Sequence, residues 1–197
     1  LFTQLGKLVH RAIIPSNGHF DTTHANIEAS GIKAVNLFSR NLRAPEYHPF
    51  KGNMDINALE VLLKKSGRNV PLVYTTTTNN TGGGQPVSLE NLRAVKKLCA
   101  HYKKPFFLDA CRFSENAWFI KQREKKYRAA AISKIVHEMF ALCDGFTISL
   151  KKDGLSNMGG ALVAKKKSPL VAHFPSLLES IRNHQILVEG HPTYGGL

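Results

Sequence analysis

Two short stretches carry the side chains best suited to covalent chemistry. The first, Phe146-Thr147-Ile148-Ser149, is a β-favouring run that ends in Leu150-Lys151-Lys152-Asp153-Gly154 and soon afterwards in Asn157-Met158-Gly159-Gly160. A strand that breaks into turn residues holds its amines at the mouth of a sheet, where open α/β sheets bind ligands. A lysine pair standing alone is more often a solvated strand end. Upstream, however, Pro105-Phe106-Phe107-Leu108 ends in Asp109-Ala110-Cys111-Arg112, which sets a carboxylate and a guanidinium at the same kind of strand end. An amine that condenses with an aldehyde and a carboxylate that pairs a cationic ring nitrogen are what pyridoxal phosphate asks of a protein. The two stretches read as one site.

The elements that must position these groups alternate along the chain. Leu1, Leu5, Leu8, Val9 and Ile13 fall near helical spacing and predict an opening amphipathic helix, stopped by Pro15-Ser16-Asn17-Gly18. Phe20, just past that turn, is a candidate stacking plate, although a core role is commoner for phenylalanine. Ile32 to Phe38 alternates as a strand. Asp55 is placed to cap a helix bearing Ile56, Leu59, Leu62 and Leu63, with Gly67 as its stop. Pro71 to Thr77 is strand-like and dissolves into Asn79-Asn80-Thr81-Gly82-Gly83-Gly84-Gln85-Pro86. This glycine run lacks both the lysine of a P-loop and the spacing of a dinucleotide fingerprint, so it reads as a functional strand-to-helix loop. Ser88 caps the next helix; Phe113 to Glu124 and the stripe from Ile132 to Cys143 predict two more. Ala161 to Ala164 predicts a short strand, and a single helix runs from about Pro169 to Leu187. The expected fold is α/β: a mostly parallel sheet between helices, three layers deep, in one domain over residues 1–197.

Composition narrows the class. At 197 residues and 43% apolar content, one domain with a sizeable core is expected, and no apolar run reaches the length of a membrane span. The start, Leu1-Phe2-Thr3-Gln4, has neither an initiator methionine nor a signal pattern, and reads as a piece of something longer. Three cysteines without paired spacing suggest neither disulfides nor zinc, and fit a reducing, cytoplasmic setting. The net charge of +13 is spread out, with local clusters at Lys121 to Arg128 and Lys165 to Lys167 and no interleaved aromatic ladder. That pattern argues against nucleic acid as a partner. His10, His24, His137 and His184 lack metal-ligand spacing and read as ordinary surface or core residues.

Longer motifs carry a resemblance. Gly83-Gly84-Gln85-Pro86-Val87-Ser88, the run from Asp109 to Lys121, Val136-His137-Glu138-Met139-Phe140, Ser149-Leu150-Lys151-Lys152-Asp153 and Pro192-Thr193-Tyr194-Gly195-Gly196 resemble the β-eliminating lyases, the family of tryptophanase and tyrosine phenol-lyase. The likeness runs through the chain in order. Phe20-Asp21-Thr22-Thr23, Arg112-Phe113, Phe119 to Glu124 and Pro192-Thr193-Tyr194 lie nearer the tryptophanase branch; Val136 to Phe140 lies nearer the phenol-lyase.

The resemblance implies a pyridoxal-phosphate enzyme of the aspartate-aminotransferase fold, with this chain as the central part of its large cofactor domain. By motif, Lys152 would be the Schiff-base lysine and Asp109 would face the pyridine nitrogen. Arg112 and Asn80 would lie near the phenolic oxygen, Phe20 would stack on the ring, and Ser149 would contact the phosphate with Lys151 nearby. Asn157 matches a position beside a monovalent-cation site, usually potassium. The substrate would be an aromatic amino acid and the assembly a homotetramer. In this chemistry Lys152, freed as an amine in a cationic, partly desolvated site, removes the α-proton. Elimination at Cβ ends in pyruvate and ammonia.

By the same resemblance, the family's main phosphate-binding loop and its carboxylate-binding arginine would lie before Leu1 and after Leu197, and turnover is expected of the longer protein. Two other readings stand beside the lyase. One is a different pyridoxal-phosphate enzyme of the same fold, an aldolase or aminotransferase; the other is a noncatalytic basic fragment that binds polyanions.

Overall fold

The structure is a computed structural model and describes residues 1–190. Six strands form one sheet: β1 (Ile13–Ser16), β2 (Lys33–Asn36), β3 (Val73–Thr76), β4 (Phe106–Asp109), β5 (Gly145–Ser149) and β6 (Gly160–Ala164). Their order is β2-β1-β3-β4-β5-β6, parallel except for β6, which returns antiparallel to β5. The helices are α1 (Phe2–Leu8), α2 (Asp21–Ala29), α3 (Ile56–Ser66), α4 (Leu89–His101), α5 (Phe113–Arg123), α6 (Ile132–Leu142), α7 (Pro169–His173) and α8 (Leu177–Glu189). None of the helices among the described residues is long and apolar enough to cross a membrane.

The three layers follow from side-chain alternation along the central strands. Val73, Phe106 and Leu108 face one way and pack with Leu59, Leu92, Val95, Ile120, Ile135 and Met139 from α3 to α6. Their neighbours Tyr74 and Phe107 face the other way and pack with Leu5, Ile27, Leu170 and Leu177 from α1, α2, α7 and α8. A strand buried on both faces must be apolar throughout, which is why these segments read as unbroken hydrophobic runs. Gly145 opens β5 opposite Phe107, and a Cβ there would fall 2.3 Å from that ring.

Local signals hold where they are self-contained. The Asp55 carboxylate accepts the Ala58 N–H at 2.9 Å and the Ser88 hydroxyl accepts the Asn91 N–H at 3.0 Å, each satisfying a free donor of its helix. Gly67 ends α3 in a right-handed conformation that runs on into a short 3-10 turn.

Two expectations are corrected. The opening helix stops at Leu8, and Ile13 to Ser16, with Pro15 among them, is a strand. Lys33 and Leu37 donate to the carbonyls of Ala12 and Ser16, so the even-numbered residues of β1 face β2 and Pro15 faces β3. On that side pairing is sparse, with Ser16 opposite Tyr74, and the missing N–H of Pro15 leaves no gap in a ladder. The final helix is broken in two at Phe174-Pro175, because a proline cannot donate to the preceding turn. The Pro192 to Gly196 motif lies outside the described residues.

Candidate active site

The strand order reverses between β1 and β3, since β1 leads outward to β2 while β3 starts the march toward β6. Ligands of open α/β sheets settle at the carboxyl ends of strands beside such a reversal. Asn17, directly after β1, stitches this fork: its Nδ2 donates to the carbonyls of Thr76 and Gly52 at 3.0 and 2.7 Å, and its Oδ1 accepts the Thr76 N–H at 2.8 Å. Asn79 donates to the Asn17 carbonyl at 2.8 Å. A residue that the sequence offered only as part of a helix stop therefore replaces the missing backbone ladder between β1 and β3.

Register then aligns the chemistry. Thr76 is opposite Asp109, and Asp109 is opposite Thr147, so the three form one row across the ends of β3, β4 and β5. They sit on the face that also carries Tyr74 and Phe107. Phe20 caps the start of α2 from the same side.

Two adjoining hollows open over this row and share Phe20, Asp109, Cys111 and Lys152. The narrow one, about 10 Å³, adds Thr76, Thr77, Thr78, Asn80 and Arg112. The wide one, about 490 Å³, adds Thr22, Thr23, Thr147, Ile148, Ser149, Lys151, Gly159 and Gly160. Of the residues singled out from the sequence, Phe20, Asn80, Asp109, Arg112, Ser149, Lys151 and Lys152 converge here. Asn157 does not line either hollow; it lies exposed in the turn between β5 and β6.

The electrostatics have one conspicuous imbalance. Asp109 is 5% exposed, yet its carboxylate accepts only the Cys111 N–H, at 3.4 Å, and no cation lies within ion-pair distance among the described residues. A buried carboxylate normally has a cationic or multiple-donor partner. The Lys152 ammonium is held instead over the Phe20 ring, 5.7 Å from its centroid. Burial, and then the charge of Asp109, push the Tyr74 phenol well above its ordinary range, so it stays neutral and hydrogen-bonds to the Thr147 hydroxyl.

Several residues at the site had no sequence signal that separated them from core. Burial, reinforced by Asp109, pushes the Cys111 thiol up to about 11, and its sulfur accepts the Ser149 N–H at 3.2 Å. Thr76 and Thr78, which line the narrow hollow, bury hydroxyls without a hydrogen-bond partner among the described residues. His19 is buried beside Tyr74; desolvation lowers it to about 4, leaving a neutral imidazole that bonds the Ile14 carbonyl. The run of four threonines, Thr75 to Thr78, was the available hint. No group of three or more metal-ligating side chains occurs among the described residues.

Comparison with known proteins decides the family. A sequence model described as beta-eliminating lyase matches residues 3–191. The chain belongs to the beta-eliminating lyase family. This chain is 53% identical to the tryptophanase of Salinibacter ruber over 94% of its own length and 38% of that protein. It is 39% identical to the tyrosine phenol-lyase of Symbiobacterium sp., covering 93% of itself and 39% of that enzyme. The chain thus spans under half the length of these relatives. Among solved structures, Leishmania major threonine aldolase superposes with a TM-score of 0.55 at 20% identity, over 95% of this chain and 54% of the aldolase, a likeness of fold.

Proposed function

We propose that this chain forms the cofactor-binding centre of a pyridoxal-phosphate-dependent lyase that cleaves the Cβ substituent from an aromatic amino acid. The observation that carries the reading is the convergence of Lys152, Asp109 and Phe20 on one hollow in a chain of this family.

The residues present fit the cofactor. Among the described residues Asp109 has no cationic partner, and it suits a protonated ring nitrogen. Thr76 and Thr78 hold buried hydroxyls free to bond a polar substituent. Phe20 offers an aromatic face to a planar ring, and Lys152 is the amine that bonds an aldehyde.

Bound there, pyridoxal phosphate supplies the electron sink that makes cleavage next to Cα feasible. Asp109 accepts the ring N–H and keeps it protonated. Arg112 and Asn80 bind the phenolic oxygen, while Ser149 and Lys151 bind phosphate. Phe20 covers the ring and excludes water. Lys152, with its amine free, takes the α-proton of the substrate and holds it at Nζ, while the Cβ substituent departs with its bonding electrons and a proton taken up at the departing carbon from solvent. Water then completes the conversion of the remaining three-carbon unit to pyruvate and ammonia. Asn157 belongs beside a monovalent cation, potassium in this reading, and the working assembly is a homotetramer. Tryptophan, yielding indole, is the favoured substrate, because the relative at 53% identity bears that specificity in its name; tyrosine, yielding phenol, is the alternative.

The test is incubation of the full-length protein with tryptophan, tyrosine, S-alkyl cysteine and threonine. Pyruvate in step with indole or phenol is expected. Amino transfer without pyruvate, or glycine formed from threonine, would replace the lyase reading with an aminotransferase or an aldolase.

A further inference from the structure

The turn that carries Lys152 is held to the rest of the site by its neighbour. Asp153 Oδ2 accepts the Ser114 N–H and the Ser114 hydroxyl, both at 2.7 Å, and the Glu115 N–H at 3.2 Å. It therefore supplies to α5 the N-terminal acceptor that Arg112, the residue at the cap position, does not provide. The Asp153 N–H also donates to the Cys111 carbonyl at 3.3 Å. A carboxylate at the start of a helix satisfies free N–H donors and faces the positive end of the dipole, so the contact is strong as well as directional.

Helix α5 begins four residues after Asp109, and the link between them is closed by Phe113 donating to Ala110 and by Arg112 donating to Thr77. Asp109 and the α5 terminus thus move as one piece. The Lys152 turn is itself compact: Leu155 donates to Lys152, Ser156 to Leu150, and Leu150 to Gly159. A Cβ on Gly154 would come within 2.6 Å of the Leu150 carbonyl oxygen, so the chain can close this tightly only with glycine there. Two rigid pieces, one bearing the carboxylate and the other the amine, meet at the Asp153 clasp.

We propose that Asp153 is a positioning residue that sets the reach of the Lys152 amine relative to Asp109 by clasping the Lys152 turn to the start of α5. This rests on the reading of Lys152 as the residue that bonds the cofactor. The clasp acts on the amine and not on the hollow itself, because Asp153 lines neither cavity. It should therefore govern covalent capture more than noncovalent binding.

The experiment compares the full-length protein with its Asp153→Ala and Asp153→Asn variants in two measurements. One is affinity for 4-deoxypyridoxine 5′-phosphate, which has the ring and phosphate but no aldehyde. The other is the rate, across pH, at which pyridoxal 5′-phosphate becomes fixed to Lys152 by borohydride. Asp153→Ala should leave analogue affinity within about twofold while slowing capture about tenfold or more, as loss of alignment does. Asp153→Asn keeps an oxygen for the Ser114 and Glu115 amides and should recover most of the rate. Capture unchanged in Asp153→Ala overturns the proposal, and so does a parallel fall in analogue affinity, which would mean general damage. Absence of capture in the unaltered protein would instead overturn the assignment of Lys152.

Discussion

Lys152 and Phe20 meet face-on across the hollow, the ammonium 5.7 Å from the ring centroid. A planar ligand stacked on Phe20 would take the place the ammonium holds and displace the amine from the ring face. Lys151, the exposed neighbour, lines only the wide hollow. Lys152→Ala is expected to abolish borohydride-fixed cofactor, whereas Lys151→Ala weakens cofactor affinity by about tenfold or less, as loss of one partly solvated charge contact would. Peptide mapping after reduction decides between them, and a label on Lys151 would reverse the roles.

Asp109→Asn preserves shape but removes the negative charge that would hold a ring nitrogen protonated. Covalent attachment should persist, while exchange of the substrate α-proton for solvent deuterium, followed by NMR, falls by about a hundredfold or more. Unchanged exchange would show that the carboxylate is not the ring's partner.

Thr78 buries a hydroxyl that has no hydrogen-bond partner among the described residues. Replacing it by valine keeps the shape and removes the orphaned group, so the apo protein should gain up to about 1 kcal/mol, read as a higher Tm. The same change should weaken cofactor binding by about threefold to tenfold, the worth of one hydrogen bond. A variant with lower apo stability and intact cofactor affinity would contradict both expectations.

His19 contributes a pH dependence of known sign. Its folded-state value of about 4 lies below the ordinary 6.5 because burial disfavours the charged ring. The unfolded chain therefore binds the proton more readily between those values, and stability present above pH 6.5 is lost as pH falls toward 4. Between pH 7 and pH 5 the loss is about 2 kcal/mol. Urea melts of the protein and of His19→Gln should converge as the pH is lowered, because the variant lacks this term; parallel pH profiles would contradict it.

The parts of this molecule legible from sequence are those whose cause is local. The caps at Asp55 and Ser88 need an acceptor three residues before a donor, the runs at Phe106 to Leu108 and Val73 to Thr76 declare buried strands, and the Asp109 and Lys152 strand ends announce chemistry. Family motifs add to this because they preserve residue order. Pro15 misled for the same reason: in isolation it stops a helix, and only the sparse pairing between β1 and β3 makes it acceptable in a strand.

Tertiary structure decided what depends on partners distant in the chain. Asn17 acts on Thr76, 59 positions away, and Asp153 on Ser114, 39 positions away. The row of Thr76, Asp109 and Thr147 exists only once three strands have taken their register. Sequence determines which side chains are available and which segments must be buried; the convergence of an amine, a carboxylate and an aromatic plate on one hollow is a property of the sheet, because only parallel strands in register bring their carboxyl ends to a single edge.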